Sequence, residues 1–439
     1  MRTRIPTVVA AAIALAAAVV QPLPGRAQEG PGPALELRLE EVYALAAERN
    51  PRIAASAALA DASAIMVSSA GRPPDPVFQI GAMNLRLPEF EADMEASMAP
   101  AIQLMQMVPF PGKLGLSERI ARGTSEMARA NAEETAWMIR TDVAMAFYDL
   151  YAADRQNEVM RRTLRILEDF EKVARAMYGA GTGRQSDVLR ANVEIARMEA
   201  EIARMDAMRE VAAARLNGLL VRPAETPVAS PVFPDLPAGI PARDTLRTWA
   251  EETRPMLLEA RTGVERAGAA RDLARRELWP DLTLGVQYGQ RDAGMGLERM
   301  GSFMVGFSLP VFAGSRQLRM RDEAAAMERM SLADLSETRA GVDARIGELL
   351  AELNRARTLI DLYESTVIPQ AEANVESSYS SYRVGSVDFM TLVDARMTVN
   401  QYEQEYHELL ADYGVGVAEL EAVVGRELPS GAGLLAEVR

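Results

Sequence analysis

The sequence predicts a mainly α-helical protein with a smaller β portion, built from two internal structural repeats. Three observations predict it. First, residues 174–223 and 375–428 correspond at a constant offset of 204. Tyr178-x-x-Gly181-Thr182 meets Tyr382-x-x-Gly385-Ser386, Val188 meets Leu392, Ala191 meets Ala395, Leu216 meets Leu420 and Leu220 meets Val424. Upstream, Asn50-Pro51 meets Arg254-Pro255 at the same offset. Second, the 55 residues between Gly123 and Gly179 contain no glycine or proline. Third, short stretches of two-residue alternation interrupt each half. A duplication this long means that each half buries its apolar surface against its twin.

The chain opens with a targeting segment, residues 1–27. Arg2 and Arg4 precede an apolar stretch, Val8 to Val20, and a small-x-small cleavage site, Gly25-Arg26-Ala27. The stretch is too short to span a bilayer stably, and no cysteine follows to carry a lipid. The mature chain is expected to begin near Gln28, outside the cytoplasm. The full sequence has 62 acidic and 48 basic residues, a net charge of −14. Removing the three arginines of the segment leaves 62 against 45, or about −17. That balance argues against a nucleic-acid partner, which needs a basic patch. It fits a solvated helical surface or attraction of cations. Without cysteine there is no disulfide framework and no thiolate metal site. The single histidine, His407, is expected on the surface of a charged helix and supports neither a His-based zinc site nor a His-dependent triad. Nothing after the segment has 18 consecutive apolar residues, so a membrane must be met by strands.

The glycine-free stretch, with its approach from Lys113, predicts a helix over about 113–178, roughly 100 Å long at 1.5 Å per residue. Such a helix belongs to a long bundle, coiled coil or tube. A second helix, about 185–220, carries an apolar seam of Ile195, Met198, Ile202, Met205, Ala212, Leu216 and Leu219 at three- and four-residue steps. The second half repeats the plan over about 316–382 and 388–424, with bends expected at Gly341, Gly347 and Pro369. Earlier helices are expected near 50–71 and 255–278, so that two shorter helices stack end to end beside one long one. The halves are joined by a connector, 221–243, with six prolines, which reads as semi-rigid and surface-lying.

Between early and long helix, each half changes period. Leu282, Leu284, Val286 and Tyr288 alternate with Thr283, Gly285, Gln287 and Gly289; Phe303, Val305, Phe307 and Leu309 alternate with Ser302, Met304, Gly306 and Ser308. This predicts a hairpin over about 281–310, apolar on one face. Val77–Leu87 and Ala101–Val108 fill the same slots in a first hairpin, about 77–108. The alternation alone fits a soluble hairpin or a membrane barrel equally. Four strands leave two open edges, however, and copies of the chain must close them, giving a strand count that is a multiple of four.

Several motifs recur in order along this plan: Asn50-Pro51, the turn Pro109-Phe110-Pro111-Gly112-Lys113, its match Pro310-Val311-Phe312-Ala313-Gly314, and Tyr382 to Ser386 through Asp394-Ala395. Together they resemble the TolC-type outer-membrane efflux proteins, over roughly residues 38–427. The resemblance implies a homotrimer in outer-membrane lipid, with a twelve-stranded β-barrel continuing into a long antiparallel helical barrel across the periplasm. It implies a passive duct without catalysis or cofactor, served by a periplasmic adaptor and an inner-membrane pump, exporting heavy-metal ions such as copper, or drugs. Accordingly, the repeats are expected at 28–220 and 244–427, with a tail at 428–439. The sequence also shows no Gly-rich phosphate loop and no duplicated carboxylate dyad. The competing reading, a periplasmic coiled-coil adaptor or structural protein, leaves the outward-apolar strands without a lipid partner.

The resemblance places the Tyr-x-x-Gly turns at the periplasmic tip, with Gly181, Thr182, Gly385 and Ser386 as adaptor contacts. The glycines are expected in conformations that other residues resist. Two acidic positions that narrow the pore in family members correspond here to Thr391 and Asp394, and their first-half equivalents are Asp187 and Arg190. Asp394, with Arg190 or Arg184 nearby, is the expected gate; an exposed helix charge of little weight is the alternative. Met83, Met94, Met98, Met105 and Met107 crowd the first hairpin. Thioethers suit Cu(I), and they also serve as adaptable packing. The stretch from Pro74-Asp75-Pro76 to Lys113 resembles the heavy-metal branch of the family more than the drug branch. Glu89, Glu91, Asp93 and Glu95 form a solvated loop or a cation-attracting mouth.

Overall fold

Both halves of the protein begin with a short helix, an X-Pro junction and a second helix. A computed structural model describes residues 37–83, 98–237, 239–292 and 296–429. The targeting segment, Met94, the loop acids and the tail beyond residue 429 lie outside them. Helices α1 (Leu39–Arg49) and α2 (Pro51–Ala70) meet at Asn50, and α5 (Arg243–Thr253) and α6 (Pro255–Arg276) meet at Arg254. Proline suits the first helical turn because its missing N–H would be unpaired there. Asn50 caps α2 by accepting the Arg52 N–H at 3.0 Å, and its side chain donates to the Leu219 carbonyl at 3.0 Å. Arg254 donates to the Ala422 carbonyl at 2.8 Å and pairs with Glu134 at 3.1 Å. Different side chains thus tie down the carboxyl end of the corresponding later helix in each half. Helices α1 and α5, 11 residues each, were not expected from the sequence.

Helix α3 runs from Lys113 to Gly179, 67 residues, or about 100 Å. Beside it lie α2 and α4 (Gln185–Leu219). In the second half, α7 (Gln317–Leu362), a π-helical turn (Tyr363–Val367) and α8 (Ile368–Arg383) form the long element, with α6 packed on α7 and α9 (Phe389–Val424) packed on both. Helix α7 passes through Gly341 and Gly347 without interruption, contrary to expectation. The irregularity falls just before Pro369 instead. Proline cannot donate to Ser365, and its ring would crowd that carbonyl; the wider π turn relieves both, with the Ile368 N–H reaching back to Tyr363.

One core joins the two halves: Val143, Phe147, Tyr148 and Leu150 of α3 pack with Leu216 of α4, Ile346, Leu349 and Leu353 of α7, and Tyr413, Val417 and Leu420 of α9. Each fully buried side chain of this size contributes roughly 1.5–3 kcal/mol. Gly414 permits the closest approach, since a Cβ there would stand 2.3 Å from the Tyr148 ring. A second core, nearer the far turns, joins Leu167 and Phe170 to Met198, Ile202, Tyr382, Phe389 and Leu392. The connector is pinned rather than loose. Leu236 is buried, the Pro237 carbonyl accepts the Tyr413 hydroxyl at 2.9 Å, and Val232 donates to Leu37 at 3.0 Å.

The four strands β1 (Val77–Met83), β2 (Met98–Val108), β3 (Leu282–Asp292) and β4 (Leu297–Phe307) form one antiparallel sheet in chain order. Strand β1 is described only to Met83, short of the expected residue 87, and β2 begins three residues earlier than expected, beyond a register irregularity between Gly81 and Met83. The middle pair, β2 with β3, unites the two repeats. Strands β1 and β4 are the free edges.

The two-faced sheet and the helical turns as candidate functional site

The register aligns the alternation across all four strands. Phe78, Leu104, Val286 and Phe303 stand in one row, and Ile80, Ile102 and Tyr288 in another. Among the described residues nothing covers this apolar face; Phe303 is 69% exposed and Ile80 67%. The opposite face carries the row Gln79, Gln103, Gln287, Ser302, flanked by Gly285, Gly289, Thr283 and Gly306. Eleven-residue strands at about 3.3 Å per residue are long enough to cross a bilayer when tilted. A sheet with water on its apolar face would be an aggregation surface; with lipid there it is a stable one.

Where the sheet meets the helices, the turn Pro109 to Lys113 is locked to the second half. Lys113 is 5% exposed, and its ammonium donates to Asp281 at 2.8 Å, to Glu277 at 3.2 Å and to the Trp279 carbonyl at 3.2 Å. The Phe110 N–H donates to the same Asp281 oxygen at 2.7 Å, and the Phe110 ring stacks on Trp279 at 5.3 Å. The matching turn of the second half has no such lock among the described residues, and Val311 and Phe312 lie exposed. Helix α2 is the one described helix long and apolar enough to cross a membrane by composition, with a mean hydropathy of 1.5, although Asp61 and its serines interrupt any fully apolar run. None of its residues is buried, and Leu59, Ile65 and Met66 are well exposed.

At the opposite end, Gly181 and Gly385 adopt φ of +78° and +75°, a left-handed turn that glycine enters without strain. Thr182 and Ser386 close these turns through backbone and hydroxyl hydrogen bonds to Met177 and Ser381. Beyond them the copies diverge. Arg184 precedes α4 without a side-chain cap, whereas its counterpart Asp388 caps α9 and accepts the Thr391 N–H at 2.9 Å and the Thr391 hydroxyl at 2.8 Å. Those two hydrogen bonds, followed by Arg190 and Arg184, hold the Asp388 carboxyl below the usual aspartate range. Asp187 accepts a long hydrogen bond from the Tyr382 hydroxyl at 3.5 Å; burial, then the Asp187 charge, raises that phenol to about 12.

Of the gate candidates, Asp187 meets Tyr382, Thr391 meets Asp388, and Arg184 and Arg190 act on Asp388. Asp394 is exposed, and its carboxylate makes no ion pair among the described residues. Sequence reasoning named Tyr382 only as part of the turn motif, without its contact to Asp187, and missed the role of Asp388. The signals were present: an aspartate ahead of an apolar helix marks an N-cap, and the offset sets Asp388 against Arg184.

Deeper in the bundle, Arg396 donates to Thr163 at 2.7 Å, and Glu403 pairs with Arg162 and lies 3.6 Å from Arg396. His407 is not a surface residue. Glu403, His407, Leu410 and Gly414 share the face of α9 turned to α3, and the imidazole packs against Tyr151 and Tyr406. Burial, then Arg155, lowers its pKa to about 4.

The model of the outer membrane efflux protein family matches residues 42–221 and 246–426, once in each repeat. The chain belongs to this family. Its repeats, sheet and long helices are the fold of the efflux channels among solved structures. VceC of Vibrio cholerae superposes with a TM-score of 0.76 at 17% identity, covering 89% of this chain and 97% of that one. CusC, described for the conformational changes of its folding and channel formation, gives 0.76 at 15%, covering 92% and 96%. The open state of MtrE from Neisseria gonorrhoeae gives 0.72 at 18%, covering 90% of each. No curated protein matches the chain. For an outer membrane efflux protein, the methionines of the first hairpin take an informative position. Met83, Met98, Met105 and Met107 lie on the polar face of the sheet, where Met300 and Met304 of β4 join them; sequence reasoning missed these last two.

Proposed function

We propose that this efflux protein is a passive duct of a tripartite system, set in the outer membrane as a homotrimer whose twelve strands close one barrel above a helical tube. One observation carries the reading: a four-stranded sheet with two unpaired edges and an uncovered apolar face is complete only when copies close it within lipid. The exposed face of α2 and the turn at Val311 and Phe312 supply further apolar surface for neighbouring copies. The family is one of passive channels, and no enzymatic step enters. A periplasmic adaptor docks on Gly181, Thr182, Gly385 and Ser386 and links the duct to an inner-membrane pump. The gate lies at the same tip. There Asp394, without an ion pair among the described residues, meets a neighbouring copy, while Asp187, Arg184, Arg190 and Thr391 hold the two turns of each chain together.

Two measurements test this reading. Fractionation and mass determination in detergent should recover a trimer from the outer membrane; a monomer released without detergent would sink the proposal. In planar bilayers, Asp394→Ala should raise the closed-state conductance several-fold, and an unchanged conductance removes Asp394 from the gate.

A further inference from the structure

All six methionines of the described strands lie on the polar face of the sheet; none lies on the apolar face. This is the reverse of what packing would produce. A methionine serving as an adaptable hydrophobe belongs among Phe78, Leu104, Val286 and Phe303, yet here the thioethers share a face with Gln79, Gln103 and Gln287.

They are arranged in tiers around two glycines. Met105 and Met304 approach Gly285 from either side, with Met105 Cγ 3.5 Å and Met304 Cε 3.3 Å from where a Cβ would stand. Met98 Sδ lies 2.8 Å from the equivalent point on Gly289, and the Met83 thioether accepts a hydrogen bond from the Gln287 amide. The missing side chains of the two glycines leave the room that the thioethers occupy. The glycines are four positions apart along β3, placing the tiers about 13 Å apart at 3.3 Å per residue. The glutamine row lies between them. Met83 and Met304 remain about two-fifths exposed, open to the space over the sheet.

Thioether sulfur is a soft, neutral donor that favours Cu(I) and Ag(I) over Zn(II), Mg(II) or Ca(II). No group of three His, Asp or Glu side chains among the described residues could cage a hard cation. We propose that this face is a transit path for soft monovalent metal ions, Cu(I) above all, with Met98 and Met83 forming one tier and Met105 and Met304 the other. The proposal rests on the duct reading, in which the polar face lines the lumen and three copies multiply each tier. Few ligands per site and two successive tiers give weak, exchangeable binding, as passage requires.

The test uses the full-length protein in detergent, labelled with 13C at the methionine methyls and titrated with silver nitrate in chloride-free buffer. The methyl signals of Met83, Met98, Met105 and Met304, assigned by single Met→Leu substitutions, should shift at silver concentrations that leave the exposed helix residues Met138, Met208 and Met330 unmoved. Zinc at the same concentration should move none of them. The fourfold Met→Leu variant, which conserves side-chain volume, should bind silver at least tenfold more weakly than the wild type, and undiminished silver binding by this variant overturns the proposal. Unmoved sheet methionines, or equal shifts on the helices, overturn the proposal. Failure of the wild-type protein to conduct overturns the duct reading instead, so the two failures are separable.

Discussion

Replacing Lys113 by methionine keeps most of its volume and removes one charge from the seam between sheet and helices. In the native protein its ammonium is almost fully enclosed and donates to Asp281, Glu277 and the Trp279 carbonyl. Removing one partner of a buried ion pair costs roughly 3–5 kcal/mol, chiefly because the other charge is left uncompensated. Here Asp281 is 20% exposed and Glu277 37%, so both partly rehydrate, and the expected loss falls to about 2–3 kcal/mol. Asp281→Asn keeps the oxygen that accepts the Phe110 N–H and discards only the charge. The double-mutant cycle should therefore return a coupling of about 1.5–2 kcal/mol between residues 113 and 281. Urea unfolding of the detergent-solubilised protein, followed by tryptophan fluorescence, measures it, with Trp279 stacked on Phe110 inside the seam as a local reporter. Additive effects of the two substitutions would refute the view that Lys113 and Asp281 hold α3 in place beneath the sheet.

Two further outcomes are expected. Gly414→Ala drives a methyl group into the Tyr148 ring, since the new Cβ would lie 2.3 Å from it, and should destabilise by about 1–3 kcal/mol in thermal unfolding; Gly414→Ala with Tyr148→Leu should recover much of the loss. His407 has a folded-state pKa near 4 against 6.5 for the free side chain. A depressed value means that the unfolded chain binds the proton more tightly, so this contribution is complete above pH 6.5 and is lost as pH falls toward 4. By pH 4.5 the wild type should lose about 2–3 kcal/mol relative to His407→Gln through this group; parallel stability curves for the two proteins would contradict it.

Much of the architecture is legible in the sequence because long helices and membrane strands leave strong periodic marks. The stretch from Gly123 to Gly179 permits only one element, and the alternation from Leu282 to Gly289 survives in the register of the sheet. Helices α1 and α5 are not legible in the same way. Each has only three turns, set immediately before an X-Pro junction, and three turns give too few apolar positions to establish a helical period by counting. The turn glycines announce themselves, whereas the partner of Arg184 and Arg190 depends on how two turns approach in space, which brings Asp388 to them. His407 sits among glutamates that suggest a surface, but its helical face is fixed by Leu410 and Gly414, one and two turns further on. Met98 shares a face with Met83 only because the register shifts between Gly81 and Met83, and no count along the chain reveals that shift.

The central pairing of the sheet bears on how the protein is made. Val108 of β2 meets Leu282 of β3, so the sheet cannot form until the whole first half, the connector and α6 have been delivered. Helices close contacts locally and early, whereas a pairing across so much chain is slow because the loop must be closed before any contact rewards it. Until then the first hairpin is an orphan with Phe78, Ile80 and Leu104 bare to water. Synthesis therefore includes a waiting interval in which the unfinished hairpin must be shielded from aggregation until β3 arrives.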